Sequence, residues 1–148
     1  MSSTIKKVEV WAGDFVNRAG VLARVLEALT QAGAQLEFLI GRRVTEHTSR
    51  VFVAPLKGAK QKAAAGSVGL VPAGGMHSVR VEGSNRSGLG AEMTRALAAA
   101  EINIRGVSAA AIGRKSVFYF AFETEEEVET ALSVLRRLLR SKKRASRR

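Results

Sequence analysis

The chain contains no cysteine, which excludes disulfide bonds, thiol nucleophiles and thiolate metal sites. It has only 2 prolines, 5% aromatic residues, and no apolar run close to the roughly 18 residues that span a bilayer. Met1 to Lys7 lack the apolar core of a secretory signal. The whole sequence is 46% hydrophobic and 25% charged, as in an ordered globular protein. We therefore expect a cytoplasmic protein without a membrane partner.

Residues suited to catalysis or metal binding are also scarce. The 2 histidines, His47 and His77, fall in predicted turns and have no neighbouring histidine or cysteine. The run from Glu125 to Glu127 is better explained by capping of the helix that follows than by acid–base chemistry. The sequence has neither a Walker loop nor a nucleophile elbow. We expect no catalytic residue, no metal and no cofactor, and hence no enzyme.

Acidic residues are few, with 13 against 24 basic ones, and the net charge of +11 is uneven. Six of these charges lie between Arg140 and Arg148, which leaves about +5 for the rest of the chain. Such a run predicts a disordered, solubilising tail over residues 140–148. The alternative is a physiological contact, because the tail would attract nucleic acid, acidic protein or anionic membrane nonspecifically.

One short segment occurs twice. Asn17, Arg18, Ala19 and Gly20 return 68 residues later as Asn85, Arg86, Ser87 and Gly88, each time between a strand-like stretch and an amphipathic helix. Later landmarks keep the same offset: Leu29 with Leu97, Gln35 with Asn103, Leu36 with Ile104, and Phe52 with Phe120. A repeat at this period indicates two copies of one small domain.

The first copy reads as strand, helix, strand, strand, helix, strand. Alternation at Val8 and Val10 indicates the first strand, and spacing of three and four residues indicates a helix ending at Gly33. The remaining elements are predicted at 36–44, 50–54, 57–65 and 67–71. The helix places four residues on its apolar stripe: Leu22, Val25, Leu26 and Leu29.

The second copy repeats this plan but ends early. Val79 and Val81 mark its first strand, a helix follows from Leu89, and 102–112 with 116–122 form a hairpin. A last helix begins at the N-cap Thr124 and is expected to end near Leu139. No fourth strand follows, so this copy either lacks an edge strand or borrows one. Because an unpaired edge favours pairing, we expect a homodimer or a larger oligomer.

A loop reading Asn-Arg-x-Gly followed by two hydrophobic residues, in repeats of this order, resembles the ACT domain. This ferredoxin-like domain senses small molecules in amino acid metabolism. The resemblance covers Val8 to Leu139 and is strongest to free-standing tandem ACT proteins, which have no attached enzyme. It implies an α+β fold of two tandem βαββαβ sandwiches with antiparallel sheets: domain 1 at 5–74, domain 2 at 75–139 and a basic tail at 140–148. Family members commonly have Pro where this chain has Ala19 and Ser87.

The resemblance also implies that a ligand, usually a free amino acid, binds where two ACT domains meet. The free N–H groups at a helix start suit its carboxylate. Asn17 and Asn85 can accept from an ammonium group or cap the helix, and Gln35 or Asn103 of a partner copy often completes the site. The expected ligand-binding residues are Asn17, Arg18, Ala19, Gly20, Val21, Leu22 and Gln35, and Asn85, Arg86, Ser87, Gly88, Leu89 and Asn103. The second copy is preferred because Asn103 is the shorter amide.

Other interpretations stay open at this point. Asn before a helix is often only a cap, and a loop glycine often serves only backbone geometry. Arg18 and Arg86 could bind an anion, and the pair of residues 42–43 is similarly ambiguous. The leading hypothesis is a regulatory protein that senses an amino acid. The alternatives are a basic, RNA-contacting ferredoxin-like protein and a structural oligomerisation module.

Overall fold

Two four-stranded antiparallel sheets, each with two helices, make up the computed structural model, which describes residues 3–147. Contacts divide the described chain into a first-repeat unit, residues 9–74, and a second-repeat unit, residues 3–8 with 75–147. This is the α+β, ferredoxin-like repeat that the sequence predicts. The elements are β1 Thr4–Val8, β2 Trp11–Val16, α1 Val21–Gln31, β3 Phe38–Arg43, β4 Thr48–Ala54, α2 Gly58–Ser67, β5 Val71–Pro72, β6 His77–Ser84, α3 Leu89–Ala99, β7 Gly106–Ile112, β8 Lys115–Phe122 and α4 Glu125–Ser146. No helix within residues 3–147 is both long and apolar enough to cross a bilayer.

The core of the first-repeat unit lies between its sheet and its helices. Val25 and Leu29 of α1 are buried against the sheet, as the helical spacing predicts. Leu22, predicted on the same stripe, is 40% exposed because it lies in the first turn, beyond the packed part of the helix. β5 is a two-residue strand at 71–72, and the strand predicted over 67–71 is otherwise the end of α2 and a turn.

The second-repeat unit has the larger core. Val79 and Val81 of β6 pack against α3 and α4 together with Phe120 and Phe122 of β8. The rings of Phe118, Phe120 and Phe122 stack in succession, with centroids 5.8 and 6.5 Å apart. These phenylalanines therefore serve the core rather than an exposed stacking platform.

The edge strand missing from the second repeat comes from the amino terminus. In the sheet order β1-β6-β8-β7, β1 occupies the place beside β6 that β5 occupies beside β2 in the other sheet. It pairs with β6 from Thr4 opposite Glu82 to Val8 opposite Ser78. Residues 5–8, expected in the first domain, thus fold with the second. The dimer expectation had rested on an unpaired edge, and β1 removes that reason.

The basic carboxyl terminus is helical where disorder was predicted. α4 continues past Leu139 to Ser146, so residues 140–146 correct the predicted tail; Arg148 lies outside the described residues. Arginine, lysine and alanine are good helix formers. Acidic residues in the first turn and basic residues in the last also complement the helix dipole. These basic residues therefore extend a helix whose earlier turns pack an apolar face on the core.

The 68-residue offset holds through the first helix of each repeat and then changes. α1 and α3 keep it at both ends. In the hairpin after these helices, however, three residues separate the paired Val44 and Thr48, whereas only two separate Ile112 and Lys115, so the second turn is one residue shorter. Val53 lies opposite Trp11 as Phe120 lies opposite Val79, so Val53 is the structural counterpart of Phe120. The predicted match of Phe52 with Phe120 is wrong, and the offset beyond this turn is 67.

Candidate functional site

The repeated loop has one conformation in both units. Gly20 and Gly88 precede α1 and α3 with φ of 91° and 88°, a left-handed conformation that favours glycine. The first helical hydrogen bonds run from Arg24 N to Gly20 O, 3.1 Å, and from Glu92 N to Gly88 O, 2.9 Å. Among the described residues, no acceptor is recorded for the two preceding amides in each helix, at 22–23 and at 90–91. Each helix therefore begins with free donors.

The loop asparagines fasten this loop to the neighbouring hairpin turn. Asn17 N donates to His47 O at 2.8 Å, and its Nδ2 donates to Glu46 O at 3.2 Å. In the second repeat, Asn85 N donates to Arg114 O at 2.8 Å and its Nδ2 to Gly113 O at 3.2 Å. Neither side chain caps a helix. This corrects the capping interpretation.

The amide oxygens of the two asparagines differ in availability. Asn17 Oδ1 accepts from Ser49 Oγ at 3.3 Å. For Asn85 Oδ1, no hydrogen bond within residues 3–147 is recorded. The second repeat thus leaves an acceptor beside its helix start, and the first repeat does not.

Asn85→Ala should destabilise the second-repeat unit by about 1 kcal/mol, because one side-chain hydrogen bond to the hairpin turn is lost. Chemical unfolding measures this change. Asn103→Ala is the control, since that exposed side chain has no recorded hydrogen bond within residues 3–147. Equal stability of the two variants would contradict a fastening role for Asn85.

Each loop borders a cavity at the same place in its repeat. The cavity of the first repeat, about 280 Å³, is lined by Phe15, Val16, Asn17, Arg18, Val21, Leu22, Gly41, Arg42, Arg43, Ser49 and Val51. The cavity of the second repeat, about 400 Å³, is lined by Asn85, Arg86, Gly88, Leu89, Gly90, Ala91, Ala109, Ala110, Ala111, Ser116 and Phe118. We call them the first cavity and the second cavity. Most of the expected loop residues meet there, whereas Ala19, Gly20 and Ser87 lie in the loops without lining a cavity.

Gln35 and Asn103 are elsewhere. Both are exposed and follow the carboxyl ends of α1 and α3, whereas the loops precede these helices. An 11-residue helix is about 16 Å long. Within one repeat, then, the amide and the loop do not share a site.

Apart from the ambiguous pair 42–43, the sequence did not indicate which strand residues line the cavities. Residues 41–43 of β3 and 109–111 of β7 line them, together with Ser49 and Ser116 on the adjacent strands. Alternation along the strands decides which of these residues face the cavity, once the pairing of Arg43 with Ser49 and of Ala111 with Ser116 is known. The one-residue difference in turn length obscures that pairing in the sequence.

The loop arginines have different surroundings. Arg86 donates to both carboxylate oxygens of Glu92, at 2.6 and 3.2 Å, and these hydrogen bonds hold the pKa of Glu92 below its usual value. Lys142 lies 3.4 Å from the same carboxylate. In the first repeat, Arg24 stands at the position of Glu92. Among residues 3–147, Arg18 has no recorded side-chain hydrogen bond or ion pair.

Known proteins share the fold of this βαββαβ repeat, in which a glycine loop precedes the first helix. The family model of the ACT domain matches residues 77–140. The second repeat is an ACT domain. The first repeat has the same fold and the same glycine loop. No curated protein matches the chain in sequence.

Solved structures share this fold of two repeats. Protein BT0572 from Bacteroides thetaiotaomicron has a TM-score of 0.77 at 15% identity, over 90% of this chain and 89% of its own. The ligand-free regulatory subunit of aspartate kinase from Thermus thermophilus has a TM-score of 0.64 at 15% identity, over 93% and 96%. Aspartate kinase from Clostridium acetobutylicum has a TM-score of 0.63 at 14% identity, over 93% of this chain but only 34% of its own. At such low sequence identity, these TM-scores show a shared fold and nothing more.

Proposed function

We propose that this chain is a non-catalytic regulatory protein that binds an amino acid at its ACT loops. The observation that carries the proposal is the second cavity, where a glycine turn, free helix-start amides and an open asparagine oxygen lie together. ACT domains bind small molecules such as amino acids. Among the proteins of similar fold is a regulatory subunit of aspartate kinase, which supports a regulatory rather than a catalytic role.

The second cavity suits the two ends of a zwitterion. The amides of Gly90 and Ala91 point from the positive end of the α3 dipole, where a carboxylate is stabilised. Asn85 Oδ1 is an acceptor for the ammonium group. Leu89, Phe118 and the alanines 109–111 provide apolar contact for a side chain. Gln35 or Asn103 would contribute only from another ACT copy, and we propose that arrangement by analogy with the family.

A thermal-shift screen of the full chain with the common amino acids tests this function. A ligand that binds only the folded state at about 100 times its Kd adds about 2.7 kcal/mol of stability. We expect at least one amino acid to raise Tm. The carboxamide of that amino acid is the control, because it keeps the side chain and the ammonium group but lacks the carboxylate. An equal shift with the carboxamide would contradict binding at the helix-start amides.

A second candidate function is a contact with a polyanion, such as nonspecific binding of nucleic acid. The specific observation is a basic stripe on α4 and the turn after it: Arg136, Arg140, Lys143 and Arg147, at spacings of four, three and four. All four line a groove of about 980 Å³ together with Ser3 to Ile5. Since the phenylalanines of β8 are in the core, this contact would involve phosphates rather than stacked bases.

The double variant Arg140→Ala with Arg147→Ala should weaken binding to single-stranded RNA. The slope of log affinity against log salt concentration should also fall by about the contribution of two phosphate contacts. Arg137→Ala with Arg144→Ala removes the same charge from residues that do not line the groove, and is the control. Filter binding over a range of salt concentrations measures both. If the two double variants lose affinity equally, only net charge matters and the groove is not a site.

A further inference from the structure

The first and second cavities occupy the same place in their repeats but differ in charge. By the register of the strands, Arg43 of the first corresponds to Ala111 of the second, and the neighbour Arg42 corresponds to Ala110. Arg18 corresponds to Arg86. Among the described residues, no carboxylate lines either cavity. The first cavity therefore concentrates positive charge where the second has methyl groups.

Arg43 belongs to the helix side of its sheet. It pairs with Ser49, which pairs in turn with Phe15, and both of these line the first cavity. Arg42 pairs instead with Arg50 on the opposite face. Arg50 is already engaged, with Asp14 at 3.1 Å and the ring of Phe52 at 5.5 Å. Of the two adjacent arginines, Arg43 is the one on the face of the sheet that carries the loop and the helix.

Arg18 lacks the carboxylate partner that Arg86 has, because one residue of the helix differs between the repeats. In the second repeat Glu92 holds Arg86 through two hydrogen bonds. The same helical position in the first repeat is Arg24, so this partner is replaced by a further positive charge. Neither Arg18 nor Arg43 has a recorded ion pair within residues 3–147. These two residues and Arg42 thus give the first cavity three lining arginines, and no carboxylate of the described residues lines it.

We propose that the first cavity binds an amino acid whose side chain ends in an anion, either a carboxylate or a phosphate. This inference rests on the proposed function and adds the class of ligand. The free amides of Leu22 and Ala23 donate hydrogen bonds to the α-carboxylate. Arg18 and Arg43 bind the side-chain anion, for which the planar guanidinium is well suited. At about 280 Å³ the cavity is at the small end of ligand sites, which favours a short side chain.

Calorimetric titration of the full chain with paired probes tests this proposal. The pairs are aspartate with asparagine, glutamate with glutamine, and O-phosphoserine with serine, and their comparison separates carboxylate from phosphate. We expect the anionic member of at least one pair to bind about ten- to a hundredfold more tightly, as for the loss of a charged hydrogen bond. Raising the salt concentration should weaken that member more than its neutral partner.

Three variants test whether the preference for the anionic probe arises in the first cavity. Arg43→Ala gives the first cavity the residue of the second, and should remove most of the preference for the anionic probe. Arg24→Glu restores the carboxylate that neutralises the loop arginine in the second repeat, and should reduce the same preference. Arg50→Ala is the control, since it removes an identical side chain from the opposite face of the same sheet and Arg50 does not line the first cavity; we expect less than about a threefold change, as for a surface charge.

The outcomes separate this proposal from the proposed function. If neutral amino acids bind as tightly as their anionic partners, or if Arg50→Ala and Arg43→Ala have equal effects, the inference is wrong while amino acid binding stands. Succinate and inorganic phosphate complete the test. Binding of either one, lost in Arg43→Ala but retained in Arg50→Ala, with no binding of any amino acid, would show that Arg43 binds anions but would contradict both the proposed function and an amino acid as the ligand.

Discussion

Replacing residues 4–8 by a glycine–serine segment of equal length is expected to unfold the second-repeat unit or to leave it only marginally stable. β1 is the edge strand of that sheet and pairs with β6 over its whole length. Ile5 packs on the hydrophobic core. Lys7 Nζ contacts the carboxylates of Glu125, at 2.8 Å, and Glu129, which join β1 to the start of α4.

The expected magnitude follows from these contacts. A net backbone hydrogen bond contributes about 1 kcal/mol, and a partly buried isoleucine contributes about 1–2 kcal/mol. The exposed ion pairs of Lys7 add little. Together the strand contributes several kcal/mol, a large part of the roughly 5–15 kcal/mol by which a domain is stable.

Hydrogen exchange resolved by segment is the measurement for this variant. We expect the amides of β6 and β8 to lose protection. The control replaces Val71 and Pro72 of β5 by glycine and serine, because β5 is the equivalent edge strand but pairs over only two residues. That control should change little. Full protection of β6 in the β1 variant would contradict the proposed role of the amino-terminal strand.

Gly88→Val should abolish amino acid binding at the second cavity, and Gly20→Val should do so at the first. Both glycines have φ near +90°, which costs a β-branched residue about 1–3 kcal/mol. A Cβ at either position would meet no atom within 4 Å, so the cost arises from the backbone rather than from a clash. Relief of that strain would turn the loop and displace the helix-start amides from the ligand carboxylate.

The control for this pair is Gly58→Val. Gly58 also has a positive φ, 79°, and its Cβ would also meet open space, but it begins α2 and lines neither cavity. We expect a similar loss of Tm and unchanged affinity for the ligand, measured by thermal unfolding and by calorimetry. Unchanged affinity in both loop variants would show that the ligand binds elsewhere.

Local signals in the sequence were enough to predict the repeat, the order of its elements and the first helix of each copy. Thr124 is an N-cap as predicted, and its hydroxyl accepts from Glu127 N at 3.1 Å. The glycine loops could be found because a left-handed residue before a helix restricts the residue type strongly. These features depend on neighbours within a few positions along the chain.

The features that were missed depend on distant partners. Val8 and Val10 both read as strand, but the chain passes from one sheet to the other between them, since β1 pairs with β6 about 70 residues later. The role of Asn85 needs the carbonyl of Gly113, on a turn 28 residues away. Arg43 could be assigned to the cavity only from the hairpin register. Pairing over such separations leaves no periodicity in a single sequence.

Calorimetric titration of the folded wild-type chain with each of the common amino acids decides whether the loops bind a ligand. We predict that at least one amino acid binds with a Kd tighter than about 1 mM, and that Gly20→Val or Gly88→Val abolishes this binding while Gly58→Val retains it. Absence of any binding tighter than about 1 mM by the folded wild-type chain would contradict amino acid sensing and leave the two loops with a structural role only.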